Sequence, residues 1–275
     1  MNLIKTSLLN GIAVVVKMLT LLGLNKILAV YIGPTGFAAI GQFQNALQMI
    51  TTLTGGGITN GVVKYTAEYA DNEQAQRQIW KVAGTITILS SLVVAILVVV
   101  FSHELAGFFL HDKNLRDIFY WFASGILFFS LNTFLLAILN GKKEILLYVI
   151  SNIAGSLIAL GLTVALTVIY GLHGALIALV MYQSFSFFVT LLVCNRMSWF
   201  KFSYMFGSFN KVVAKKLLAY FLMAVVSAAS IPIGQILVRN YLGNTFGWEV
   251  AGYWEALSRL SAAYLLLVTT TLSVY

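Results

Sequence analysis

Along the whole chain, apolar runs of about 20 residues alternate with short polar gaps. Runs of that length and composition are read as transmembrane helices. Eight such segments fall at about 4–32, 38–63, 82–101, 116–139, 145–169, 173–194, 214–239 and 252–275. A membrane β-barrel would instead show alternating strands of about 10 residues, and the sequence has no such pattern. The longer gaps are 64–81, 102–115, 195–213 and 240–251, and no soluble domain is inserted in any of them. Gly33 and Pro34 end the first helix, because glycine caps a helix and proline cannot continue one. Pro232 falls inside the seventh segment and is expected to kink it.

Composition agrees with this pattern. The 275 residues are 60% hydrophobic and only 9% charged, against about 25% charged in a soluble domain. The fold class is therefore all-α integral membrane. The net charge of +8 does not indicate nucleic-acid binding, since the basic residues sit in inter-helix gaps and not in one patch or stripe. Their distribution sets orientation instead. Eleven lie on one side: Lys5, Lys64, Arg77, Lys81, Lys142, Lys143, Arg196, Lys201, Lys211, Lys215 and Lys216. Three, Lys113, Arg116 and Arg239, lie on the other. This bias puts the N-terminus in the cytoplasm. The first segment is too long for a signal-peptide core and carries Lys17, so it reads as a retained helix. The single cysteine, Cys194, allows no disulfide within the chain.

The chain also repeats itself. Lys26–Gly33 (KILAVYIG) resembles Gln235–Gly243 (QILVRNYLG) with one inserted residue, and Gly41–Gln44 falls over Gly252–Glu255. Segments seven and eight then look like a second copy of one and two, entering the membrane in the same sense. A parallel repeat of this kind is a transporter plan with the substrate site at the repeat interface. It divides the chain into a six-helix N-terminal lobe, 1–200, and an inter-lobe loop with the first two helices of a second lobe, 201–275. A complete second lobe would need about 200 further residues, so a partial chain is expected.

Charge inside a span is expensive and marks a functional site by default. Lys17 lies about 14 residues from either end of its helix, roughly 20 Å, too far to snorkel easily. Thr6 and Asn10 share its face. It is either a cavity-facing cation that meets an anionic substrate or a structural donor to a neighbouring helix's carbonyls. Lys26 is nearer the helix end and on the opposite face, so both lysines reach one cavity only if the helix bends, with Gly23 the candidate bend. In the second segment Gly41, Gln44, Gln48, Thr51, Gly55 and Thr59 share one face. That stripe is either a sugar-binding wall, since amides and hydroxyls suit carbohydrate, or close packing through small residues. Glu255 and Arg259, spaced i, i+4, can pair and fall over Gln44 and Gln48 in the repeat. They are a substrate-binding or gating pair, or a self-neutralised pair near the interface.

Segments one to seven have no carboxylate in their cores, which favours an anionic or sugar-like substrate over a cationic one. His103 and His111 share one outer loop without forming a metal site, and His173 reads as a plain loop residue. There is no Gly-rich phosphate loop, no paired carboxylates in a span and no nucleophile constellation, so neither enzyme chemistry nor a cofactor is expected.

The stretch from Ser7 through Asn72 resembles the start of bacterial polysaccharide flippases of the Wzx type. The residues that carry the likeness are Lys17, Lys26, Tyr31–Gly36 (YIGPTG), Gly57–Tyr65 (GITNGVVKY) and Glu68–Tyr69. The C-terminal stretch is similar in Trp248–Trp254 (WEVAGYW), Ala263–Tyr264 and Thr271–Tyr275. The nearest subgroup is the O-antigen translocases, alongside the lipid III flippases of enterobacterial common antigen. The resemblance implies the polysaccharide branch of the multidrug/oligosaccharidyl-lipid/polysaccharide (MOP) exporters, with two six-helix lobes around a central cavity in the bacterial inner membrane. It implies alternating-access movement of undecaprenyl-pyrophosphate-linked O-antigen or related sugar units, with the lipid bilayer, a polysaccharide polymerase and a chain-length regulator as partners. On that reading Lys17 meets the pyrophosphate or an acidic sugar, Gln44 and Gln48 contact sugar hydroxyls, and Arg259 adds charge from the second lobe. Gly23 and Pro232 act as hinges. The alternatives are a MATE-like drug/cation antiporter, a membrane polymerase or ligase, for which the longest outer loop of about 14 residues is too short, and a non-functional remnant of a truncated flippase.

Overall fold

The computed structural model describes the backbone of residues 3–207 and 210–272, and the side chains of these except 3–10, 13 and 266–272. The described residues form helices and turns with no strand. In chain order the α-helices are α1 (Leu3–Leu53), α2 (Thr59–Glu68), α3 (Glu73–Val100), the single turn α4 (Ser102–Leu105), α5 (Arg116–Gly141), α6 (Ile145–Asn195), α7 (Lys211–Phe246) and α8 (Trp248–Leu272).

Two of these helices cannot be straight. Each of α1 and α6 has 51 residues, which would extend about 75 Å at 1.5 Å per residue, more than twice the roughly 30 Å hydrocarbon core of a bilayer. Each breaks at one glycine of positive φ, Gly33 (φ 71°, ψ −178°) and Gly171 (φ 58°, ψ −135°), a conformation that costs other residues more. In α6 the limbs fold back on each other, so that a Cβ on Gly155 would lie 3.1 Å from Ser186 Oγ. With both breaks counted, a helix runs through each of the eight expected segments among the described residues, but the second, expected over 38–63, stops at Leu53 and resumes as α2 at Thr59, and residues 273–275 of the eighth lie outside the described residues. Among the described residues, five helical stretches are long and apolar enough to cross a membrane by length and composition: Val14–Leu53, Glu73–Val100, Lys113–Gly141, Ile145–Asn195 and Lys211–Phe246.

The polar gaps are shorter than expected. Asn72 caps α3, its Oδ1 accepting from the Ala75 amide at 3.0 Å, so α3 begins nine residues early. Most of the 240–251 gap is helix, since α7 runs to Phe246 and stops at Gly247 (φ 97°). Arg239 is consequently not a loop cation on the outer side but lies within a helix and is fully buried. His173 is not a plain loop residue either: it stands in α6 just past the Gly171 break, with Nε2 2.6 Å from Asp117 Oδ2.

Two apolar clusters fill the bundle. One gathers Phe43, Phe119, Phe122 and Leu176, and the other Trp80, Phe134, Leu135 and Leu217. The outer surface is apolar too. Leu89, Val93, Ile96 and Val100 leave one face of α3 more than half exposed, an arrangement that water would not tolerate over such an area and a bilayer accepts.

The close approach of α1 to α8 depends on small residues. A Cβ at Gly252 would stand 1.9 Å from the Pro34 carbonyl oxygen, and one at Gly41 would stand 2.4 Å from the Glu255 carboxyl carbon. Overpacking costs about 1–3 kcal/mol, and at Gly252 the obstacle is backbone that cannot rotate away. Gly252→Ala is expected to lower the melting temperature of the detergent-solubilised protein. Unchanged melting would show that the two helices separate freely.

Candidate functional site

At the junction of α1, α7 and α8 lies a buried charge cluster. Arg239, Glu255 and Arg259 are 0%, 5% and 8% exposed. A charge at that depth survives only when it is paired and hydrogen-bonded, and each polar neighbour serves that end. The Glu255 carboxylate accepts from Arg239 Nη2 at 2.5 Å and from Arg259 Nε at 2.8 Å. Arg239 also donates through Nη1 to Gln42 Oε1, and its guanidinium lies over the Trp254 ring at 5.5 Å. Arg259 spends its remaining nitrogens on α1, with Nη1 donating to Asn25 Oδ1 at 3.1 Å and Nη2 to Gln44 Oε1 at 2.7 Å, and it lies over the Phe37 ring at 4.9 Å. Gln42 Nε2 in turn donates to Asn240 Oδ1 at 2.6 Å. Two guanidiniums share one carboxylate, so the cluster carries one surplus positive charge.

Gln44 joins this cluster to a polar cavity of about 270 Å³. The cavity lies between both limbs of α1, α5 and both limbs of α6. Its lining includes Lys17, Gln44, Asn132, Ser151, Asn152, Ser156, Tyr182, Gln183 and Ser186, and no carboxylate. Asn132 is tied in place, its Nδ2 donating to Gln183 Oε1 at 2.7 Å while its Oδ1 accepts from Thr190 at 2.8 Å. Among the described residues the Ser151 hydroxyl is buried without a partner. The wall therefore offers amides and hydroxyls with unused capacity and one ammonium, a surface chemically suited to sugar hydroxyls and anions.

The structure brings four of the expected residues together: Lys17 and Gln44 in the cavity, Glu255 and Arg259 in the cluster. Lys17 makes no ion pair or hydrogen bond among the described residues; Thr6 and Asn10, expected on its face, have side chains outside those described. Lys26 and Gln48 are exposed and join neither feature. The rest of the polar stripe is packing: Gly41 lies against Glu255, Gly55 against Thr87, and the Thr51 hydroxyl returns to the Leu47 carbonyl at 2.6 Å. Gly23 keeps a helical backbone, and the break in α1 is at Gly33. Pro232 is buried within a continuous α7. Four polar participants escaped the sequence reading: Arg239, Gln42, Asn25 and Asn240. The signal for Gln42 was a second polar pair, Gln42 and Asn45, on the other face of the same limb. Asn45 Nδ2 reaches Gln235 Oε1 of α7 at 3.4 Å.

This chain is similar to known proteins over its whole length. The lipid III flippases of Escherichia coli (strain K12) and Shigella flexneri are each 28% identical over 278 residues, with 100% of this chain and 66% of theirs covered. The chain thus spans just under two thirds of the length of these curated relatives. Solved structures share the fold at lower identity. The MATE multidrug transporter DinF-BH superposes with a TM-score of 0.76 at 16% identity, covering 99% of this chain and 63% of its own. A MOP superfamily transporter from Pyrococcus furiosus does so at 0.77 and 15%, covering 100% and 63%. The chain thus has the all-α membrane fold that these structures share. The sequence model for the family described as polysaccharide biosynthesis protein matches residues 3–275, and the chain belongs to that family.

Proposed function

We propose that this protein is a flippase that carries undecaprenyl-pyrophosphate-linked oligosaccharide units, of the O-antigen or a related kind, across the bacterial inner membrane. The observation that carries this reading is the Gln44 junction, where a buried cluster with surplus positive charge meets a carboxylate-free cavity lined by amides, hydroxyls and Lys17. Sugars need such hydrogen-bonding walls and a pyrophosphate needs fixed cations. The 28% identity to the lipid III flippases supports the same substrate class.

In the proposed cycle the prenyl tail stays in the bilayer while the sugars and pyrophosphate cross between residues 1–200 and the lobe that begins at 201. Lys17 and Arg259 offset the pyrophosphate charge and Gln44 contacts sugar hydroxyls, while Lys26 and Gln48 lie outside the cavity. Glu255 holds Arg259 in position until the lobes move. Pro232 leaves the Ala228 carbonyl without its helical donor, and bending there and at Gly23 lets the lobes rock. The basic end faces the cytoplasm, with the N-terminus. A polysaccharide polymerase and a chain-length regulator act on the delivered units.

Complementation tests this reading. Expressed in a strain that lacks its oligosaccharide flippase, the protein is expected to restore surface polymer on a gel. No polymer, with the protein present in the membrane and a lipid III flippase working in parallel, counts against it. Protection from cationic drugs in place of polymer would assign the protein to the antiporters with which it shares a fold.

A further inference from the structure

One end of the bundle collects cations and aromatic rings. Lys64 and Lys216 lie over Tyr65, Lys142 over Trp80 and Trp199, and Arg77 over Tyr204. Aromatic belts of this kind mark the membrane–water interface. Most of these cations have partners. Arg77 pairs with Glu73 at 2.6 Å, Lys142 donates to Gln76 Oε1 at 3.0 Å, and Lys216 donates to the Tyr69 hydroxyl at 3.2 Å.

Lys211 and Lys215 differ. Both are exposed, and neither makes a hydrogen bond or ion pair among the described residues. They sit i, i+4 in the first turns of α7, where like charges repel and the helix dipole disfavours cations. The first turn holds no acidic residue to offset them. Both line a second cavity, of about 420 Å³, whose other walls are almost wholly apolar and include Ile58, Ile86, Leu218 and Phe221. That volume is within the range of about 300–1,000 Å³ usual for ligand sites. An apolar slot at the interface, with two uncompensated ammonium groups beside it, matches one molecule in shape and charge: a lipid with a hydrocarbon chain below an anionic phosphate.

We infer that the cavity between α3 and the start of α7 is a binding site for an anionic glycerophospholipid of the bilayer, one acyl chain in the apolar slot and the phosphate on Lys211 and Lys215. The site is separate from the Lys17 cavity and independent of what the protein transports. The bound phosphate offsets the repulsion between the lysines and ties the start of α7 to the leaflet surface.

Native mass spectrometry of the purified protein, offered equimolar phosphatidylglycerol and phosphatidylcholine, tests this. The unmodified protein is expected to retain one phosphatidylglycerol in preference. The Lys211→Ala/Lys215→Ala variant should lose about thirtyfold of that preference, from roughly fivefold for each basic residue at an anionic surface, and Lys211→Arg/Lys215→Arg should keep it. Ala214→Trp, which fills the slot and leaves both lysines, should release both lipids. Unchanged preference in the alanine variant overturns the inference. So does lipid retained by Ala214→Trp at unchanged melting temperature, or phosphatidylglycerol displaced by equimolar undecaprenyl pyrophosphate, which would make the occupant a prenyl substrate.

Discussion

Glu255→Gln is expected to cost about 3–5 kcal/mol of stability, the usual effect of removing one member of a buried ion pair. The cost arises from what remains. Arg239 and Arg259 would stay buried at the α1–α7–α8 junction with no carboxylate between them, two like charges held by neutral amides alone. Glutamine keeps the size of the side chain, so its fit against Gly41 is unchanged and the effect isolates charge. The check is melting of the detergent-solubilised variant together with its abundance in membranes. Removing one of the stranded charges should then help: Arg239→Gln in the Glu255→Gln background is expected to recover much of the loss, although Arg239→Gln alone destabilises. Independent, additive losses would mean that the three groups do not act as a unit.

The difference between local and long-range pairing explains what the sequence disclosed. Eight apolar segments were legible because a bilayer imposes length, and the Gly33–Pro34 and Gly171 breaks fall where the polar gaps did. Glu255 and Arg259 were legible because i, i+4 neighbours meet on any helix. Arg239 was not, because its counterion is 16 residues away on another helix, and its surroundings, Asn240 and Gly243–Thr245, read as the start of a loop. Only the packing of α7 against α1 and α8 makes that stretch helical and that charge buried. Gln44 and Gln48 looked equivalent by periodicity. They separate because Arg259 reaches the first and the α1–α8 crossing leaves the second exposed. Gly33 was legible as the end of the first segment because Pro34 follows it, whereas Gly23, read as a candidate bend, keeps a helical backbone.

Lys17→Ala should separate transport from folding. An unpaired ammonium within a span is held at a cost of about 2.5–3.5 kcal/mol, and among the described residues Lys17 has no carboxylate to offset it. Its removal should therefore leave the melting temperature unchanged or raise it. On the proposed function transport should fall, because a charge-assisted hydrogen bond to a substrate phosphate is worth about 1.5–3 kcal/mol, or about tenfold to 150-fold in polymer exported. Lys17→Arg should retain most activity and Lys17→Glu should retain none, since a carboxylate repels the same phosphate. The measurement is surface polymer on a gel, normalised to protein in the membrane. The structural alternative, a lysine that donates to carbonyls of a neighbouring helix, predicts the opposite pair of results: a lower melting temperature, and export that falls only in proportion to lost protein. Wild-type export from Lys17→Ala at normal abundance would remove Lys17 from the site and leave Arg259 as the cation nearest the cavity.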